Sequence, residues 1–206
     1  MIAIIDYGLG NIKAFANVYK RLDVPHYLAN TPDKLEQADK IILPGVGAFD
    51  YAMSMLNKSG MRDMFDFLVL DKGVPVLGIC VGMQMLADVS EEGKSNGLGW
   101  IPGKVKKFSN SDNARFAKYP LPHMGWNNIV IDQDDPLLTG IDTNARFYFL
   151  HSYHFECFDA DSSLASTEYG MKFSCIIKSG NIYGVQCHPE KSHHNGIILL
   201  KNFASV

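Results

Sequence analysis

Apolar positions in the first half of the chain alternate between short unbroken runs and runs with helical spacing. Residues 2–6 form one such run, ending in Asp6-Tyr7-Gly8, which predicts a buried strand. Ile12, Phe15, Ala16, Tyr19 and Leu22 share one face of a helix over 12–22. Residues 26–29 predict a short strand, and 40–43 another, stopped by Pro44-Gly45. Helices are expected from Phe49 and from Met61 to Leu70. Residues 74–79 predict a strand, with a helix starting over 82–87. Short buried strands separated by helices imply parallel βαβ units.

The pattern changes in the second half. Strands are expected over 98–108, 128–131, 146–150, 154–157, 173–178 and 182–187, with Gly, Pro, Asn and Asp at the joints. The polar stretch 109–120 reads as a loop, and 195–204 as a closing helix. No internal repeat or linker breaks the chain. The pattern fits one α/β domain over 1–206, with an open, mainly parallel twisted sheet, flanking helices and antiparallel additions. A domain boundary near residue 109 is the weaker alternative.

Composition narrows the function. Hydrophobic residues make up 47% of the 206, and charged residues 20%, ordinary for a globular protein. The net charge of −3 supplies no basic field for a phosphate backbone, which disfavours a nucleic-acid partner. No apolar run approaches the roughly 20 residues that span a bilayer, so no membrane role is expected. Met1 to Asp6 lacks the basic start of a signal peptide, and the default location is the cytoplasm. Cys80, Cys157, Cys175 and Cys187 form no CxxC pair, so neither a metal site nor a disulfide is expected. Asp6-Tyr7-Gly8-Leu9-Gly10 could pass as a degenerate dinucleotide loop. It lacks the third glycine and the acidic residue after the next strand, so no cofactor is expected.

One of the four cysteines stands in a distinctive setting. In Val76-Leu77-Gly78-Ile79-Cys80-Val81-Gly82-Met83-Gln84 an apolar strand runs directly into Cys80, and a helix follows. This is a cysteine form of the nucleophile elbow, which exposes the reactive atom at the carboxyl end of the sheet. A thiol at a helix N-terminus also has its thiolate favoured by unpaired N–H groups. By itself the segment serves equally as a buried cysteine between packing glycines.

Gly184-Val185-Gln186-Cys187-His188-Pro189-Glu190 ends a second apolar strand. Glu190 can orient one imidazole nitrogen of His188 while the other faces a thiol. Alone it reads as a surface His-Pro-Glu turn; beside the cysteine elbow it reads as the rest of a triad. Pro44-Gly45-Val46-Gly47-Ala48-Phe49 is a glycine turn after a strand. Val46 or Gly47 could supply one oxyanion donor, and Val81 the other.

These segments together resemble the class I (triad) glutamine amidotransferases. Within them the chain is similar to the family of glutaminase subunits of imidazole glycerol phosphate synthase. The resemblance extends through Ile5 to Ile12, Leu43 to Phe49, Ser90 to Gly93, Pro122 to Asn127, Phe149 to Tyr153 and His188 to Ser192, in the family's order. It implies a flavodoxin-like sheet and hydrolysis of L-glutamine through a thioester on Cys80, with His188 moving protons and Glu190 orienting it. It further implies that Gln84 and Glu92 hold the substrate and that His151, Ser152 and Tyr153 line the site. Ammonia would pass to a synthase subunit in a heterodimer, a TIM-barrel cyclase of histidine biosynthesis, with Asn11 and Trp126 near that interface. Trp126 could equally be core.

Some residues depart from the family pattern. Cys187 stands where an aromatic is common, and Ser192-His193-His194-Asn195 and the first helix are also unusual. These bear on the partner and leave the triad intact. The alternative is a paralogous glutaminase subunit supplying a sugar amidotransferase for surface polysaccharide. A cysteine peptidase or deglycase on a related fold fits Gln84 and the His-Pro-Glu spacing less well, and a scaffolding subunit would not need an intact triad.

Overall fold

The computed structural model describes residues 1–108 and 119–206. The loop expected over 109–120 falls, apart from its last two residues, outside the described residues. The first half runs β1 (Ile2–Ile5), α1 (Ile12–Arg21), β2 (His26–Ala29), α2 (Pro32–Leu35), β3 (Lys40–Gly45), α3 (Phe49–Lys58), α4 (Arg62–Asp66), β4 (Val76–Cys80) and α5 (Val81–Gln84). Then come β5 (Val89–Ser90), β6 (Gly103–Lys107), β7 (His123–Asn128), β8 (Val130–Ile131), β9 (Arg146–His151), β10 (Tyr153–Cys157), β11 (Ser163–Glu168), β12 (Lys172–Ser179), β13 (Ile182–Val185) and α6 (His193–Ser205).

The central sheet has the strand order β2-β1-β3-β4-β13-β12-β10-β6-β5, with β11 and β8 attached beside β12. From β2 to β13 the strands are parallel. Beyond β13 the neighbours β12, β10 and β6 are antiparallel, and β7 pairs antiparallel with β9 in a separate ribbon. The mainly parallel sheet with antiparallel additions is therefore as the hydrophobic pattern predicts.

The reason lies in the burial of the strands. Every residue of β1, β4 and β13 is buried, as for strands covered on both faces. The helices present amphipathic faces to that layer: α3 buries Phe49, Ala52, Met53 and Leu56, spaced for one helical side. Thr31 caps α2 by accepting from the Lys34 N–H, with Pro32 in the first turn.

Several boundaries differ from the expected ones. The strand expected over 98–108 is confined to β6. Leu98, Trp100 and Ile101 are buried, but their N–H groups donate to Met85 and Leu86 carbonyls at the end of the preceding turn, not to a strand. The helix expected to reach Leu70 passes into a π-helical turn over Phe67–Asp71. The helix expected over 82–87 is the single turn α5. Residues 128–131 are divided between the end of β7 and β8.

Candidate active site

Cys80 closes β4 and opens α5, with φ 56° and ψ −112°. This left-handed conformation is costly for a side-chain-bearing residue, so packing around it must hold it. The glycines supply that packing. A Cβ on Gly78 would lie 2.6 Å from the Gly82 carbonyl oxygen, and one on Gly82 would run into the Leu43 carbonyl oxygen. The turn can therefore press against β3 only because both positions lack a side chain.

Strand register brings the second segment alongside. β13 pairs in parallel with β4, matching Gly184 to Gly78 and Val185 to Ile79. Continuing that register carries Gln186 beside Cys80 and places His188 at the same sheet edge. His188 Nδ1 lies 3.0 Å from Glu190 Oε1. Both side chains are almost wholly buried. Burial pulls the His188 pKa down, but the Cys80 thiol and the Glu190 carboxylate outweigh it and push it up to about 10. His188 thus holds a proton at neutral pH, beside the thiol expected to act as the nucleophile. Burial pushes the Cys157 thiol up to about 11 and also raises the thiols of Cys175 and Cys187.

A pocket of about 330 Å³ opens over Cys80. Its lining includes Val46, Gly47, Val81, Gln84, Glu92, His151, Ser152, Tyr153 and His188, so the structure gathers these expected residues at one place. Glu190 sits behind His188. Gly47 adopts φ 88°, which a glycine takes without strain. Glu92 Oε2 accepts from the Phe49 N–H at 2.9 Å, at the start of α3. Burial raises the Glu92 carboxyl above its ordinary value, with Asp50 adding to the rise and the Phe49 bond opposing it. The Ser90–Gly93 segment that carries Glu92 is held by Asp50, which accepts from the Lys94 and Ser95 N–H groups.

Gln84 is less free than a substrate contact would suggest. Its Nε2 donates to the Tyr153 carbonyl at 3.2 Å and to Gln186 Oε1 at 3.0 Å. His151 is likewise engaged, with Nδ1 2.7 Å from the Tyr153 carbonyl and Nε2 2.9 Å from His123 Nδ1. Pro122, Leu150 and Lys191 also line the pocket without having been assigned a role, although each lies in or beside a segment carrying the family resemblance. Asn11 and Trp126 lie outside it. Asn11 is exposed at the head of α1, and Trp126 is half-exposed, its ring stacked on His193 at 5.1 Å. Trp126 is therefore not a core residue. No cluster of three or more metal-ligating side chains occurs among the described residues, and no helix among them is long and apolar enough to cross a membrane.

A cysteine on a strained strand-to-helix turn, with a paired His and Glu on the neighbouring strand's end, is the arrangement of a triad amidohydrolase. The chain belongs to the class I glutamine amidotransferases, whose family model matches residues 3–205. It is 57% identical over 206 residues to the imidazole glycerol phosphate synthase subunit HisH of Bdellovibrio bacteriovorus, and 52% identical to that of Leptospira interrogans; each match covers the whole of both chains. Among solved structures, a glutamine amidotransferase aligns over all of both chains with a TM-score of 0.76 at 16% identity. A chain of PurLQS from Thermotoga maritima aligns over 99% of this chain and 97% of its own, with a TM-score of 0.70 at 18% identity. At those identities the structural likeness speaks to the fold.

Proposed function

We propose that the chain, as one domain, is the glutaminase subunit of a cytoplasmic imidazole glycerol phosphate synthase in histidine biosynthesis. The meeting of Cys80 and His188 in one pocket, with Glu190 bonded to His188 from behind, carries the hydrolytic part of this reading. The full-length identity of 57% to a HisH subunit supports the pathway.

The chemistry follows from the geometry. The Cys80 thiolate attacks the side-chain amide carbon of L-glutamine, giving a tetrahedral oxyanion. Backbone N–H groups of Val81 and of the Val46-Gly47 turn are the donors proposed for that oxygen. Protonated His188 gives its proton to the departing nitrogen, and ammonia leaves as the carbonyl reforms on a thioester. His188 then takes a proton from water, whose oxygen attacks the thioester. Collapse expels the Cys80 thiolate, releases glutamate and restores the thiolate beside protonated His188. Glu190 holds the ring throughout and offsets its charge whenever it is protonated. Glu92 at the pocket rim suits the α-ammonium group of the substrate, beside the wall formed by His151, Ser152, Tyr153 and Gln84.

Ammonia passes to a synthase subunit, in this reading a TIM-barrel cyclase, docked near Asn11 and Trp126. The test is glutamate release from glutamine by the purified chain, alone and with the cyclase of the same organism plus its nucleotide substrate. Stimulation that vanishes in Cys80→Ala supports the assignment. Adduct formation by Cys80 with a glutamine analogue, without binding or stimulation by that cyclase, would keep the glutaminase and move the partner to a sugar amidotransferase.

A further inference from the structure

A hydrogen-bond chain with only one allowed direction reaches Cys80 from the far side of the pocket wall. Its fixed point is the Tyr153 carbonyl, which can only accept. Gln84 must therefore turn its NH₂ toward Tyr153, at 3.2 Å, and the same nitrogen lies 3.0 Å from the Gln186 amide. Gln186 must answer with its oxygen. Its own NH₂ is then left facing Cys80 Sγ, at 3.9 Å. Gln186 is fully buried, and no rotation can present its oxygen to the sulfur without setting two amide nitrogens against each other.

The same carbonyl orders a second branch. His151 must carry its proton on Nδ1, 2.7 Å from Tyr153 O, so its Nε2 accepts from His123 Nδ1 at 2.9 Å. His123 Nε2 in turn accepts from Asn127 Nδ2 at 3.3 Å, and Asn127 also donates to the Glu168 carbonyl. Both imidazoles are neutral in this arrangement. The His123 ring is stacked between Phe149 and Tyr169, with centroids 4.9 and 4.0 Å away, which holds it in register.

We infer that Gln186 is a further catalytic residue, whose side-chain N–H donates to the Cys80 thiolate, and that Gln84 is the positioning residue that fixes its sense from the Tyr153 carbonyl. This rests on the reading of Cys80 as the nucleophile. A donor aimed at the sulfur stabilises the charged form before attack and weakens as the thioester forms. The titratable groups that face or interact with Cys80 are His188, backed by Glu190, with Tyr7 and Cys187 farther off. Glu92 and Lys191 lie in the same pocket. His188 is the cationic partner of the thiolate; Gln186 is the neutral one.

The test is the pH dependence of Cys80 alkylation by iodoacetamide, read by peptide mapping in the wild type and in Gln186→Met. The variant keeps the side-chain length and loses the donor. Loss of a hydrogen bond to a charged group predicts alkylation about tenfold slower at pH 6, with the acid limb displaced upward by about one pH unit. A superimposable profile in a folded variant overturns the inference and leaves the nucleophile assignment standing. Failure of Cys80 to react at any pH would instead overturn the underlying glutaminase reading. Should Gln186→Met not fold, the wild type still decides: the Gln186 side-chain NH₂ resonances must move when Cys80 is alkylated. Resonances that stay in place overturn the proposal.

Discussion

His188 Nδ1 and Glu190 Oε1 stand 3.0 Å apart at the end of β13, both out of solvent, with the imidazole held protonated well above its ordinary range. Replacing Glu190 by Gln keeps the shape and removes the charge that supports the imidazolium. The alkaline limb of glutaminase activity should then move down toward neutral pH. kcat/KM should fall on the order of 10²–10⁴-fold. A pH–rate profile of Glu190→Gln against the wild type measures both effects.

The same pair has a consequence for stability. A folded-state value of about 10 against 6.5 unfolded means that the folded chain binds the extra proton between those limits. The stabilisation is complete below about pH 6.5 and is lost as pH rises toward 10. Cys80→Ala removes one of the two supports, so its thermal midpoint should depend less on pH between 7 and 10. Scanning calorimetry at four or five pH values checks the slope. At pH 7 the variant should unfold cooperatively and release no glutamate.

Thiol selectivity provides a second chemical check. With Cys157, Cys175 and Cys187 all held as thiols by burial, a glutamine-like electrophile at neutral pH should modify Cys80 alone. Mass spectrometry of the labelled peptides reads the outcome. Preferential labelling at Cys157 would contradict the site.

Gly82→Ala should damage both fold and activity, because the new methyl group meets the Leu43 carbonyl, which is rigid backbone. A loss of about 1–3 kcal/mol or more is expected by denaturant titration. Activity should fall further than stability explains, since displacing α5 also moves the Val81 N–H.

His154 offers a prediction of opposite sign. Its Nδ1 is buried without a hydrogen-bond partner among the described residues, and its ring packs 4.7 Å from Phe108. Burial holds its pKa down at about 4. The unfolded chain therefore takes up a proton between pH 6.5 and 4 that the folded chain refuses, and stability falls over that interval on acidification. His154→Phe should flatten this decline and leave glutamine hydrolysis unchanged. Thermal melts at pH 7 and pH 4.5 compare the two proteins.

The candidate nucleophile was legible because strand, cysteine and helix start share one short window, and the glycines mark where backbones touch. His188 and Glu190 were legible as a pair two residues apart. Gln186 was not, though it lies in the same motif. Its role depends on the register of β13 against β4 and on a carbonyl from β10, neither of which is visible in local spacing. β11 escaped for a different reason: Ser-Leu-Ala-Ser-Thr-Glu carries only one large apolar side chain, yet Leu164 to Thr167 are buried because β12 and β8 flank it. β7 was hidden by Gly125, Asn127 and Asn128, which suit turns better than strands.

The pairing of β13 with β4 has a consequence for the life of the chain in the cell. Of the strands in the sheet, the one that leads to His188, the proposed base, is the last to be synthesised, and it must slot between β4 and β12, both made earlier. A ribosome-bound or prematurely terminated chain that stops short of it holds the thiol but has no means of activating it. In the proposed mechanism, glutamine hydrolysis therefore has to wait until β13 and the segment after it have been made.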